Sequence, residues 1–166
     1  MVVFMSGVKN IRKLQRGYTI IEVTIIIIVI SILATIMVDS AVGYQIRARD
    51  SERASDVDVI TRSLERYYRT QAAAVGPSYP PSTTSANALG SIIGNSEAIL
   101  APTLTTNSLV VATNNSAQSP TKDQYIYQPL QVNGALCTAV PCVRYKMYYW
   151  LETTEEIVTR DSLRQQ

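Results

Sequence analysis

The sequence predicts an α+β chain: one long N-terminal helix, half apolar and half amphipathic, laid against a small antiparallel sheet. Three observations carry this. Ile20 to Val38 is almost entirely apolar, and Gly76-Pro77 is the first glycine-proline break after it. A Ser/Thr/Asn-rich stretch follows, in which Glu97 is the one charge between residues 82 and 120. From Gln124 onward, apolar residues alternate with polar ones in the two-residue period of strands.

Within the helix the two halves differ in kind. Glu22, Thr24, Ser31 and Thr35 interrupt a run that includes Ile25–Ile28. At about 1.5 Å per residue this run approaches the hydrocarbon thickness of a bilayer, so a membrane-spanning helix is expected over 18–39. Isoleucine is a poor helix former in water, but in lipid the backbone must bond to itself. Lys9, Arg12, Lys13 and Arg16 precede the run with no acid among residues 1–17. That bias places the N-terminus in the cytoplasm. A cleaved secretory signal fits poorly, because the core is long and ends in Val38-Asp39-Ser40-Ala41 rather than at a small-x-small site.

Residues 40–75 form the second half. Asp50, Arg53, Val57, Ile60, Leu64 and Tyr67 recur at three- and four-residue spacing, apolar from Val57 on, as for a helix with one buried face. Asp58 with Arg62, and Glu65 with Arg69, read as exposed acid-first pairs on the same helix. Taken from Tyr18 to Ala74, the helix would run about 85 Å if continuous. So long a helix needs partners.

Residues 76–123 read as a surface loop held down by Ile92-Ile93 and Leu109-Val110-Val111. In 124–166, Tyr125 and Tyr127 share a face, as do Val143, Tyr145, Met147, Tyr149 and Leu151. Asn133-Gly134 signals a turn. Pro129 suggests an edge or bulged strand. Thr153-x-x-Glu156 before Ile157-Val158 fits either a capped helix or a third strand. Cys137 and Cys142 flank a short loop, and a disulfide is the natural reading outside the membrane.

Composition argues against catalysis. The 166 residues contain no histidine, which removes Ser-His-Asp and Cys-His nucleophile pairs and imidazole acid–base chemistry. Two cysteines are too few for a Cys-only zinc site. No cofactor, metal or catalytic residue is expected. The formal charge of +2 also argues against a dedicated duplex-DNA binder.

Glu22 needs explaining, since a carboxylate in a membrane helix asks for a partner. Gly17-Tyr18-Thr19-Ile20-Ile21-Glu22, with a basic leader before it and an apolar run after it, resembles the processing motif of type IV prepilins and their pseudopilin relatives. Arg47-Ala48-Arg49-Asp50, Leu64-Glu65-Arg66-Tyr67-Tyr68 and Gly76-Pro77-Ser78-Tyr79-Pro80 resemble the end of the spine helix and the following loop in that family. The resemblance covers residues 1–81; beyond them it is one of layout.

It implies a leader at 1–17, removed by a membrane-embedded prepilin peptidase between Gly17 and Tyr18, with N-methylation of Tyr18. It implies further that Glu22 sets filament register by pairing with the N-terminal amine of a neighbouring subunit. The expected product is a pilin-like structural subunit of an extracellular type IV pilus filament, built as a homo- or hetero-polymer with other pilins. Implied partners are the peptidase, an inner-membrane platform protein and a cytoplasmic assembly ATPase. The chain would sit in the inner membrane before assembly. Family outputs include adhesion, twitching motility, DNA uptake and type II secretion; DNA binding is not predicted. Major pseudopilins often hold calcium, but Glu97 and Asp123 are the only carboxylates in 82–123, so no calcium site is expected. An uncleaved bitopic membrane protein displaying a small binding domain is the alternative.

Overall fold

A computed structural model describes residues 17–71 and 76–164, leaving aside the side chains of 37–41. Residues 1–16 of the expected leader and residues 72–75, where the long helix was expected to end, lie outside the described residues. Helix α1 runs Ile20–Gln71. The chain divides at Ala41 and Val42 into two compact units.

The first unit is the apolar part of α1. Among the described residues no helix is long and apolar enough to cross a membrane; the side chains of Met37 and Val38, which end the apolar sequence run, lie outside them. From Ile20 to Ile36 every described side chain is exposed.

In the second unit, the remainder of α1 joins a helix and four strands. These are α2 (Ala86–Ile93), β1 (Leu109–Val111), β2 (Tyr125–Leu130), β3 (Arg144–Leu151) and β4 (Glu156–Asp161). They form one sheet in the order β1-β2-β3-β4. β2, β3 and β4 pair antiparallel as expected. β1 pairs parallel to β2, so the sheet is mixed. The tail that fitted either a helix or a strand is β4.

The helix stripe is the floor of the core. Val57, Ile60 and Leu64 are buried against Tyr79, Tyr125, Tyr127, Tyr145 and Met147. Each buried aliphatic side chain contributes about 1.5–3 kcal/mol. The sheet's other face carries a smaller cluster of Ala112, Ile126 and Tyr148. β2 is therefore buried along its whole length.

Two expectations need correction. The loop 76–123 is partly regular: Ser85 caps α2 by accepting a hydrogen bond from the Ala88 amide, and Gly94 ends it in the left-handed region at φ 69°. Gly90 allows close approach, since a Cβ there would lie 3.0 Å from Ile99 Cδ1. Secondly, β2 is an inner strand despite Pro129. β1 stops opposite Tyr127, and Pro129 pairs with Tyr145 on the β3 side. On its other side the Pro129 carbonyl accepts the Cys137 amide at 2.9 Å. The missing N–H thus falls where no strand would bond it.

Cys137 and Cys142 form the disulfide, with Cα atoms 5.7 Å apart. Their loop holds the segment after α1. The Tyr79 amide donates to the Cys142 carbonyl and the Ser82 amide to the Cys137 carbonyl, each at 2.8 Å. Ser78 Oγ accepts the Cys142 amide at 2.8 Å. For so short a loop, the restriction of the unfolded chain is worth about 2 kcal/mol. Replacing both cysteines by serine should lower stability by that amount or more, read as a shifted urea midpoint. An unchanged midpoint would show that the loop holds its shape without the bond.

Candidate functional site

The residues that resemble a processing motif stand at the start of α1. Thr19 precedes the helix, and its Oγ1 accepts the Glu22 amide at 3.2 Å while its carbonyl accepts the Val23 amide. Thr19-Ile20-Ile21-Glu22 is thus the sequence pattern of a capping box, and the side-chain half contributed by Thr19 is formed. Glu22 lies in the first turn, where the helix dipole favours an anion. Its carboxylate makes no hydrogen bond or ion pair among the described residues. Gly17 and Tyr18 precede the helix and are exposed, Tyr18 at 78%. The structure therefore brings Gly17, Tyr18 and Glu22 to one accessible helix start.

The other polar groups of the run are satisfied within the helix. Thr24 Oγ1 donates to the Ile21 carbonyl at 2.9 Å, Ser31 Oγ to Ile27 at 2.7 Å and Thr35 Oγ1 to Ser31 at 2.9 Å. Bonding hydroxyls back onto their own helix is what an apolar surround requires. An uncovered apolar surface of this size marks a membrane or protein contact.

A second polar site lies in the other unit, and the sequence reading missed it. Arg53 is buried, with its side chain 2% exposed. Its guanidinium donates to Asp50 at 3.0 Å, to Glu152 and to the Lys122 carbonyl at 3.1 Å. Arg49 adds a second fork onto Glu152, at 3.0 and 2.7 Å. Asp50 in turn accepts the Glu152 and Thr153 amides and the Thr153 hydroxyl. The Arg49 hydrogen bond, helped by Arg53 and opposed by burial, holds the Glu152 carboxyl down at about 2. Burial pushes Asp50 up, but the Thr153 and Glu152 hydrogen bonds and the Arg53 charge leave it below its usual value.

Further along α1, Glu65 accepts from Tyr79 Oη at 2.7 Å and from the Leu163 amide at 3.2 Å. Burial, and then the bond to Glu65, push the Tyr79 phenol up. Both sites fasten α1 to the segment around β4. The available signal was a pair of charges, Asp50 and Arg53, on a stripe otherwise bound for the core. The pairs expected on the helix are replaced: Asp58 pairs with Arg160 at 3.1 Å, and Glu65 lies 3.8 Å from Arg164. Among the described residues no group of three histidine, cysteine or acidic side chains could hold a metal.

No family profile matches the chain, and no solved structure matches it. Two curated proteins do, both called type II secretion system core protein G. The one from Klebsiella michiganensis is 31% identical over 81 residues, covering 42% of this chain and 57% of that protein. The one from Escherichia coli K12 is 30% identical over 53 residues, covering 32% of this chain and 37% of that protein. The chain thus spans less than two thirds of either relative. The likeness joins a long helix, whose start carries the resemblance to a processing motif, and a four-stranded sheet. Over these parts the chain is similar to type II secretion system core protein G, in agreement with its resemblance to the type IV pilin and pseudopilin family.

Proposed function

We propose that the chain is a structural subunit of a pilin-like filament. It is held in the inner membrane by its apolar helix, cut between Gly17 and Tyr18, methylated on Tyr18, and polymerised by packing of that helix. The observation that carries the reading is the bare apolar face of α1, with its hydroxyls bonded inward and one charged residue, Glu22, left for a partner. In this reading Glu22 meets the new N-terminal amine of a neighbouring copy. A buried pair of this kind fixes register more than it adds stability. Prepilin peptidase, an inner-membrane platform protein and an assembly ATPase are the partners, and the chain performs no catalysis of its own.

Leader removal also changes the subunit's charge. It takes four basic residues from 15 and none of the 13 acids, leaving 11 against 13, or −2. The basicity of the precursor belongs to its leader.

Likeness to core protein G favours a secretion filament. A surface pilus serving adhesion, twitching or DNA uptake is the second reading, supported by the same motif. N-terminal sequencing of the mature protein should begin at Tyr18 and carry a methylated amine. An intact leader would instead support the uncleaved bitopic protein. Deleting the gene then separates the outputs: loss of an exported protein marks secretion, loss of surface fibres marks a pilus.

A further inference from the structure

The face of α1 turned away from the sheet is charged in an ordered way. Between Ser51 and Thr70, the exposed or half-exposed charges are Glu52, Asp56 and Asp58 first, then Arg62, Arg66 and Arg69. At about 100° per residue, Glu52 and Asp56 lie on one flank of the uncovered arc. The three arginines lie on the other, roughly 90° away. Among the described residues, neither Glu52 nor any of these three arginines forms an ion pair. Asp56 accepts Tyr125 Oη at 2.8 Å and has no cation within ion-pair reach among the described residues. Asp58, on the arginine flank, is neutralised by Arg160. Arg164, paired with Glu65 at 3.8 Å and stacked 4.8 Å over Tyr68, stands beside the basic flank. Val59, Arg62, Glu65, Arg66, Arg69 and Leu163 are among the residues lining an open groove there, with Leu163 72% exposed.

Such a surface is complementary to itself after a shift. Glu52 to Arg62 and Asp56 to Arg66 are the same step along the helix, about ten positions or roughly 15 Å. We propose that this face is the side-by-side contact between copies of the chain, with Glu52 and Asp56 of one copy meeting Arg62 and Arg66 of a parallel neighbour. The contact joins two different flanks, so it is heterologous and propagates instead of closing. It rests on the filament reading, in which all copies share one membrane orientation and are therefore parallel. A closed antiparallel dimer through the same face would require opposed copies. The unpaired acids favour a second copy over a nucleic acid, which would use the arginines alone.

The test uses the full-length chain expressed with its assembly machinery. E52R and R62E should each be processed at Gly17 and melt like the wild type, because both side chains are exposed. Like charges would then face each other at every contact, and sheared filament yield should fall about tenfold. The double variant E52R/R62E should recover most of that yield. Wild-type yields from both single variants, or a double variant no better than either, would overturn the contact. So would a detergent-stable dimer lost in the variants while filament yield is unchanged. Reduced DNA retention with unchanged filaments would assign the arginines to nucleic acid instead. A wild type with an intact leader and no filaments would remove the filament reading itself, and this contact with it, before any variant is compared.

Discussion

A chain carrying Gly17→Ala should accumulate with its leader attached, with mature product reduced at least about a hundredfold on an immunoblot. The reasoning separates the chain from its protease. A Cβ added at Gly17 meets no atom of the chain within 4 Å, so the substitution leaves the subunit's own structure undisturbed. Any effect must arise where another molecule approaches that backbone. Glycine permits the closest approach, and one methyl group suffices to push a catalytic site away from the scissile carbonyl. The Thr19 cap and Glu22 lie beyond the cut and remain in place. Normal-sized mature protein from this variant would refute the assignment of the cleavage site and, with it, the role given to Tyr18.

The second large effect concerns stability. Arg53→Ala should cost about 3–5 kcal/mol, because it leaves the Asp50 and Glu152 carboxylates facing an emptied, largely buried space. For a chain of this size that is a fall in melting temperature of roughly 10 °C or more. Arg53→Lys should recover only part, since a single ammonium cannot reach Asp50, Glu152 and the Lys122 carbonyl together. Acid should act in the same direction. Both carboxyls ionise more readily in the folded chain than in the unfolded one. Their contribution is complete above about pH 4.5 and drains away as pH falls towards 2. Glu152→Gln should therefore flatten the loss of stability across that interval. Unfolding of the full chain in detergent, followed against pH, reads both effects. An Arg53→Ala chain with wild-type stability would show that water replaces the guanidinium without penalty.

The elements with a local signature were legible in the sequence. The apolar run, the Val57–Leu64 stripe, the strand alternation after Gln124 and the cysteine pair each follow from residues a few positions apart. β1 was not legible, because three residues have no measurable period and its parallel partner Tyr125–Tyr127 is remote in the chain. α2 was hidden by its glycine and polar residues, although Ser85 and Gly94 mark its ends. The charged pairs were misassigned for a related reason. A four-residue rule joins Asp58 to Arg62, whereas Arg160 arrives from the far end of the chain and competes for the same carboxylate. The Thr19–Glu22 cap has the spacing of a capping box, which the sequence reading passed over.

The fastening of α1 to the last strand has a consequence for the order of events during synthesis. Arg53 to Glu152, Asp58 to Arg160 and Glu65 to Leu163 are contacts between residues 98 to 102 positions apart. At roughly 5–20 residues per second, their partners emerge from the ribosome about 5–20 s after the helix. Throughout that interval Arg53 has only Asp50 of its own helix as an ionic partner, and the head cannot close. Completion of the head is thus tied to the arrival of β4 and the residues beside it.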